Sequence, residues 1–272
     1  MVEKNEIVIS IIIPTYNRRC ELLICLDALM KQVRISENLQ IVVSDDSNNL
    51  NLSKEIALTY PEIDYQIGPH KGPAANRNSA AKKAKGKWLI FLDDDCIPSE
   101  NWFKNYYKEI HQTKGTVLEG KTIVNRQKER YDEVAPINLD GGKLWSCNFA
   151  IQKNLFLSLD GFDEGFLYTT MEDVDFKDRV KQQTQITFIA ESVVVHPWRK
   201  RIAFANFFGR LKSQAYYYQK QGTKNTTRFR IDRTKIWLTG IFMELAQLAG
   251  FSYKGWRCYL DKVLFNFCMI FI

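Results

Sequence analysis

Three consecutive aspartates, Asp93, Asp94 and Asp95, close an apolar run in residues 87–96, KWLIFLDDDC. Carboxylates this close repel one another. The cluster is tolerable where it is well solvated, or where it holds a divalent cation that bridges to phosphate. Polar groups follow other apolar runs in the same way. Pro14-Thr15-Tyr16-Asn17-Arg18 follows IVISIII, Asp45-Asp46-Ser47 follows QIVVS, and His196 follows residues 186–195. Arg18 and Arg77 add two guanidinium groups. Carboxylates suit a base and a ribose, a cation suits phosphates, and arginine forks onto phosphate oxygens. Together the set suits a nucleoside diphosphate with its metal. A second acidic cluster, Glu172-Asp173-Val174-Asp175-Phe176, opens a helix-like stretch, where the helix dipole alone also favours acids.

These groups need elements to hold them. Residues 7–13 are a β-branched run suited to a central parallel strand. Residues 40–44, 63–67 and 87–92 read as three more strands. Leu22, Leu23, Leu26, Leu29, Met30 and Val33 fall at helical spacing between the first two. Residues 72–84 are small or helix-compatible, with Pro73 suited to a first turn and Gly86 to a stop. Ser99 can cap a helix carrying Trp102, Phe103, Tyr106, Tyr107 and Ile110. Further on, 116–124 and 146–152 read as strands, 126–140 as a polar mobile loop, 172–183 as a helix and 186–195 as a strand. The alternation predicts an α/β layer fold, with a mainly parallel central sheet and flanking helices. In such a sheet the strand ends share one edge, where ligands of open α/β folds bind.

The chain has 272 residues, 45% hydrophobic and 25% charged, a globular balance with room for a sizeable core. Residues 1–6 are polar, so no secretory leader is expected. Six scattered cysteines form no CxxC pair or zinc spacing and read as reduced thiols of a cytosolic protein. The net charge of +7 is unevenly spread. Residues 199–272 hold 14 Lys and Arg against 3 Asp and Glu, a net of +11. The expected organisation is therefore a domain over residues 1–198 and a basic, aromatic-rich helical appendage over 199–272. Residues 203–219 and 237–251 carry its helical signals. Arg199, Lys200, Arg201, Arg210 and Lys212 alternate with Phe204, Phe207, Phe208 and three tyrosines. That pattern suits peripheral contact with an anionic membrane. Nucleic acid is the disfavoured alternative, and aromatic packing on the body is the plain one. No stretch reaches the roughly 18 apolar residues of a spanning helix.

Five motifs recur in one order: SIIIPTYNR (10–18), VVSDDS (42–47), GPAANRNSAAKKAKGKWLIFLDDDC (72–96), CNFAIQKNLFLSLDGFDEGF (147–166) and EDVDF (172–176). Across about residues 10–196 the sequence resembles the family-2 inverting glycosyltransferases of the GT-A fold. The resemblance implies transfer of a sugar from a UDP- or dTDP-linked donor with Mn2+ or Mg2+. The acceptor it implies is a glycan or a lipid-linked hydroxyl at the cytoplasmic membrane face, in capsule, O-antigen or exopolysaccharide synthesis. Pro14, Thr15, Tyr16 and Arg18 would line the nucleotide pocket. Asp45 or Asp46 would accept from the base, and Arg77 would reach the diphosphate or the base. Asp93 and Asp95 fill the DxD positions. Asp95 would ligate the metal, with His196 as a further ligand, while Asp93 would bind ribose and support the metal. Asp94, the variable middle residue, is kept with the nucleotide-binding set, its side chain expected to point elsewhere. Residues 145–148 should lie near the transferred sugar, and Asp163 and Glu164 would shape the acceptor site. Asp173 matches the catalytic base and Glu172 could orient the acceptor. The QxxRW signature of processive synthases is absent, which argues for transfer of one or a few sugars. A nucleotidyltransferase is the rival enzyme, disfavoured because PTYNRR stands where a Gly-rich loop belongs. A scaffold protein without turnover is the non-enzyme rival.

Overall fold

The computed structural model describes residues 8–33, 39–47, 50–166, 168, 170–223 and 226–271. The readings made on residues 1–7, including Ile7 of the first strand, lie outside the described residues. The chain divides into two compact units. The first is residues 1–124, 136–165 and 172–197, and the second is residues 125–135, 166–171 and 198–272.

In the first unit, β1 (Ile9–Thr15), α1 (Arg19–Met30), β2 (Leu39–Asp45), α2 (Leu50–Thr59), β3 (Asp64–Ile67), α3 (Pro73–Lys83) and β4 (Trp88–Leu92) alternate as expected. There follow β5 (Ile97–Pro98), α4 (Trp102–Gln112) and β6 (Val117–Val124). After β7 (Glu133–Val134) come β8 (Asn148–Gln152), α5 (Lys153–Ser158), α6 (Glu172–Gln183) and β9 (Thr187–His196). Eight strands form one sheet in the order β3-β2-β1-β4-β8-β6-β9-β5. β3, β2, β1 and β4 run parallel, as do β6 and β9, whereas β8 is antiparallel to both its neighbours and β5 to β9. The sheet is thus mixed, with an antiparallel strand set between two parallel blocks. Two reversals restore direction, so the carboxyl ends of β1, β2, β4 and β9 all reach one edge.

Alternation in β1 explains why its run is apolar throughout. Ile9, Ile11 and Ile13 pack on one face with Leu22, Cys25, Leu26 and Leu29 of α1, together with Trp102 and Tyr106 of α4. Ile12 faces the other way, with Ala80 and Ala81 of α3 and the ring cluster Phe91, Phe149, Phe156, Phe162 and Phe176. A strand covered on both faces reads as continuous hydrophobicity. Gly86 lets β1 and the start of β4 approach, because a Cβ there would lie 2.5 Å from the Ser10 nitrogen. The expected cap of α4 moves. Ser99 offers its carbonyl to Trp102, and Asn101 is the residue before the helix.

In the second unit, β7 pairs antiparallel with β10 (Arg199–Lys200), and three helices follow: α7 (Phe207–Lys220), α8 (Thr227–Gly250) and α9 (Trp256–Cys268). α8 starts ten residues before the expected helix. Thr226 caps it by accepting from the Phe229 amide at 3.1 Å. Asp261, fully buried, accepts from Arg201 at 2.5 Å, Arg210 at 2.6 Å and the Phe204 amide at 3.3 Å. Residues 126–135, expected as a mobile loop, carry ion pairs of their own, Arg126 with Glu133 at 2.5 Å and Arg130 with Asp132 at 2.8 Å.

Candidate active site

The shared edge gathers the acids. β4 ends at Leu92, and Asp93–Cys96 turn sharply, with the Cys96 amide donating to the Asp93 carbonyl at 3.1 Å. That turn sends the three carboxylates in three directions. Asp94, buried, accepts from Thr15 Oγ1 at 2.8 Å and Arg18 Nη1 at 3.0 Å. It fastens the loop after β1 to the loop after β4. Burial pushes its carboxyl up to about 6, against the pull of Arg18. Asp95, also buried, receives Arg18 at 3.5 Å and faces His196, whose Nε2 lies 3.4 Å from its Oδ1. Asp93 is held by Arg77 Nη2 at 2.6 Å.

The motif Asn76-Arg77-Asn78 divides its work among three partners. Asn76 donates to the Ser44 carbonyl at 2.9 Å, tying α3 to the end of β2. Asn78 exchanges hydrogen bonds with the backbone of Phe162 at 2.8 and 2.9 Å and donates to Glu164 at 3.0 Å, so it fixes the loop before α6. Glycine is required at position 161 of that loop. Its φ is +64°, and a Cβ would meet Asn78 Oδ1 at 2.4 Å. Arg77 lies buried between, its guanidinium 5.8 Å from the Phe162 ring centre. Burial disfavours its charge, but Asp93, Asp173 and Glu172 outweigh that and hold it above its ordinary value. Arg77 therefore binds Asp93 and serves as a counter-charge to the acids of α6.

Those two acids open α6, whose register is set by Phe176, its ring tilted against Phe162 with centres 4.6 Å apart within the ring cluster. Asp173 is partly exposed, and its Oδ2 accepts from the Ser146 amide and hydroxyl, each at 3.3 Å. Its Oδ1 has no hydrogen-bond partner among the described residues. Burial and the neighbouring Asp93 raise Asp173 to about 6, with Arg77 and Ser146 opposing. Glu172, more deeply buried, is raised further, by burial first and Asp173 second. One helix end thus presents two carboxylates with elevated proton affinity, one of which, Asp173, keeps a buried oxygen without a hydrogen-bond partner among the described residues. Asp175 turns away, to Arg179 at 2.8 Å.

At the far side of the edge, Asp45 is fully engaged. One oxygen accepts from the Ser47 amide at 2.8 Å and from its hydroxyl, the other from Tyr65. Asp46 accepts from the His70 amide at 2.9 Å, and burial pushes its carboxyl up. Pro14 is buried, while Tyr16 is 63% exposed at the lip. Asp163 receives the Gly165 amide at 2.8 Å, a loop contact.

The stretch 145–148 splits. Ser146 reaches Asp173, but Asn148 is 1% exposed and its amide is spent in the core. It accepts from Trp102 at 2.8 Å and Tyr106 at 3.1 Å and donates to the carbonyls of Lys121 and Ser192. Asn148 is a core residue, which corrects the expectation that it faces a sugar. Glu119 went unnoticed in the sequence. Fully buried in β6, it accepts from the amides of Gly142 at 2.6 Å, Lys143 at 2.8 Å and Leu144, so it shapes the loop that delivers Ser146. An acid inside the apolar strand VLEGKTIV, with a Gly-Gly pair downstream, was the available signal.

The donor set fits a divalent cation. Asp95, Cys96 and His196 bring ligand atoms within 4.8 Å of one another. His196 Nδ1 lies 2.7 Å from the Pro197 carbonyl, a contact that aims Nε2 at Asp95. Such an outer hydrogen bond orients a ligating imidazole. Cys96 is a core thiol; burial holds it well above its ordinary value, and it contacts Cys147. Hard cations take oxygen in preference. Asp93 lies outside this group, since Arg77 holds it. Asp93, Asp94, Asp95 and Asp173 stand around the guanidiniums of Arg18 and Arg77, an excess of negative charge that a cation would relieve.

The family described as glycosyl transferase family 2 has a model that matches residues 10–166. An uncharacterized glycosyltransferase of Haemophilus influenzae is 29% identical over 191 residues, 66% of this chain and 64% of its own. The poly(ribitol-phosphate) beta-glucosyltransferase of Bacillus spizizenii is 37% identical over 140 residues, 47% of this chain and 22% of that protein. The chain thus spans less than two thirds of the length of either relative. Among solved structures, GalNAc-T7 with UDP, GalNAc and Mn2+ superposes with a TM-score of 0.62 at 17% identity, covering 82% of this chain and 52% of that one. At that identity the likeness speaks to the fold.

Proposed function

The chain belongs to glycosyl transferase family 2 with the GT-A fold, and from that premise we propose that it is a metal-dependent inverting enzyme. It would move a sugar from a UDP- or dTDP-linked donor to a hydroxyl of a glycan or lipid-linked acceptor. The observation that carries the reading is the meeting, on one sheet edge, of a buried carboxylate–imidazole pair with a second carboxylate, Asp173, whose proton affinity is raised and whose buried Oδ1 has no hydrogen-bond partner among the described residues.

Asp95 and His196 would hold Mn2+ or Mg2+. The cation would offset charge building on the leaving diphosphate. The chain's own groups supply the rest. Thr15, Tyr16, Arg18 and one of Asp45 and Asp46 would hold the nucleotide, and Asp93 would reach its ribose. Tyr65 and Ser47 engage Asp45 while the backbone amides of His70 and Gly72 engage Asp46, so either acid could read a base. The acceptor oxygen attacks the anomeric carbon from the face opposite the diphosphate. The carbon–oxygen bond to the diphosphate breaks, and the acceptor proton passes to Asp173. A positioned carboxylate contributes about 10²–10⁴-fold. Ser146 orients Asp173, Arg77 balances it against Asp93, and Glu172, its proton affinity raised by burial and by Asp173, sits beside it. A polymer as acceptor is supported by the name of the Bacillus spizizenii relative, a poly(ribitol-phosphate) beta-glucosyltransferase. Work at the cytoplasmic face of a membrane belongs to the same reading.

Titration calorimetry of UDP and UDP-sugars, with Mn2+ and with chelator, tests it. Affinity should rise at least tenfold with the cation, and Asp95→Asn should remove that gain. Equal affinity with and without cation would overturn the metal assignment.

A further inference from the structure

The second unit carries an exposed apolar face that its own charge complements. Along α8, Ile231, Leu238, Phe242 and Leu245 recur at steps of seven, four and three and are all exposed, Phe242 by 76%. Along α9 and just beyond it, Leu260, Leu264, Phe267 and Phe271 do the same, Phe271 by 67%. A solvated helix face holds polar residues at such positions.

The two stripes form one surface. Tyr259 meets Ile241 at 3.3 Å, Lys262 meets Glu244 at 2.5 Å, and the rings of Trp237 and Phe267 lie 5.1 Å apart, so α8 and α9 are antiparallel. At 3.6 residues per turn each stripe stands roughly a third of a turn from that seam. The antiparallel sense brings both to the same side. Phe242 and Leu264 stand at one level, Leu238 and Phe267 at another.

The rim of this face is cationic. Arg228 and Lys235 lie on the exposed side of α8 and Arg257 on that of α9, against one acid, Asp232. The basic stretch that stood out in the sequence is more inward. Arg201 and Arg210 are bound to Asp261, and Phe207 is buried. We propose that the α8–α9 face docks on an anionic lipid bilayer, with the two stripes in the acyl boundary and the arginines and lysine at the headgroups. Among the described residues no helix is long and apolar enough to cross a membrane, so the contact is along the surface. Charge selects this occupant. A second copy would bring an identical cationic rim and a +11 segment into contact with its own, whereas an anionic bilayer is complementary. The inference rests on this surface and not on the transfer chemistry.

Flotation of the full chain with vesicles of phosphatidylcholine containing about 40% phosphatidylglycerol, or none, tests it in about 50 and about 500 mM NaCl, which span the range over which exposed charges become screened. Binding to anionic vesicles should exceed binding to neutral ones by about tenfold or more and weaken in high salt. F242S/L264S should lower it about tenfold or more, and R228E/K235E should lower it at low salt only. Both doubles should keep the wild-type melting temperature and UDP affinity, which separates a failed membrane contact from a failed donor site. No binding of the wild type at low salt overturns the proposal. So does a stable dimer in light scattering that F242S/L264S dissociates, since the face would then belong to a second copy.

Discussion

Asp261 and Arg77 are buried charges handled in opposite ways. In the helical unit one carboxylate lies between two guanidiniums, Arg201 and Arg210, and a backbone amide completes it. At the sheet edge one guanidinium lies among three carboxylates, Asp93, Glu172 and Asp173. The first arrangement balances its carboxylate with two cations and contributes structure, with Arg210 Nε left without a hydrogen-bond partner among the described residues. The second keeps an excess of negative charge, raised proton affinities and unfilled donors on Arg77, whose Nε and Nη1 have no hydrogen-bond partner among the described residues. Under the proposed function the site receives a cation, a diphosphate and a proton, a role that such imbalance suits, and folding elsewhere compensates for it.

The comparison can be broken most sharply by removing its central charges. Asp261→Asn leaves two guanidiniums without their carboxylate and should cost about 3–5 kcal/mol of unfolding free energy, while donor affinity of the folded fraction stays unchanged. Arg77→Met should lower turnover by about 10²-fold or more, because Asp93 and Asp173 lose their shared counter-charge. Its loss of melting temperature should be larger at pH 8 than at pH 5, where the acids can protonate. Equal losses at both pH values would show that Arg77 is held by packing rather than by charge.

Glu172 sharpens the same point more gently. Its folded carboxyl is raised to about 8 from an ordinary 4.5. The unfolded chain therefore gives up that proton first as pH rises, and the folded state loses stability between about pH 4.5 and 8. Glu172→Gln carries no such penalty. It should melt above the wild type at pH 8 and level with it at pH 4, with a smaller loss of kcat than any change at Asp173. The smallest effect is expected at Ser146→Ala. That variant should cost about 1 kcal/mol in transition-state stabilisation, read as a severalfold fall in kcat with donor KM unchanged.

Much of the catalytic edge was legible in the sequence. β-Branched runs buried on both faces stand out as strands, and acids that end such runs are conspicuous because nothing apolar follows. The strand ends pointed to Asp95 and His196, and the family resemblance to Asp173, as the candidates for this edge. What escaped depended on side-chain direction. Asn148 follows directly on the Trp145-Ser146-Cys147 stretch, and only the fold reveals that its amide turns to Trp102 and Tyr106 while Ser146 turns to Asp173. Glu119 was hidden because one acid in a strand has no local signature until the loop it binds is folded over it. In the second unit the densest basic and aromatic stretch drew attention, but long-range pairing with Asp261 turns part of it inward. The start of α8 was missed because Thr227–Arg233 is polar, and its helix is secured by a cap and by tertiary packing.

The central claim is that Asp173 takes the acceptor proton. The direct test is sugar transfer by Asp173→Asn at saturating donor and Mn2+, alongside donor affinity. Wild-type activity should fall on the acid side as Asp173, held up to about 6, is protonated. The variant keeps the shape and the Ser146 contact but cannot accept a proton. Turnover should drop by about 10²-fold or more with donor affinity essentially unchanged. Turnover near that of the wild type would contradict the account and move the base to another residue.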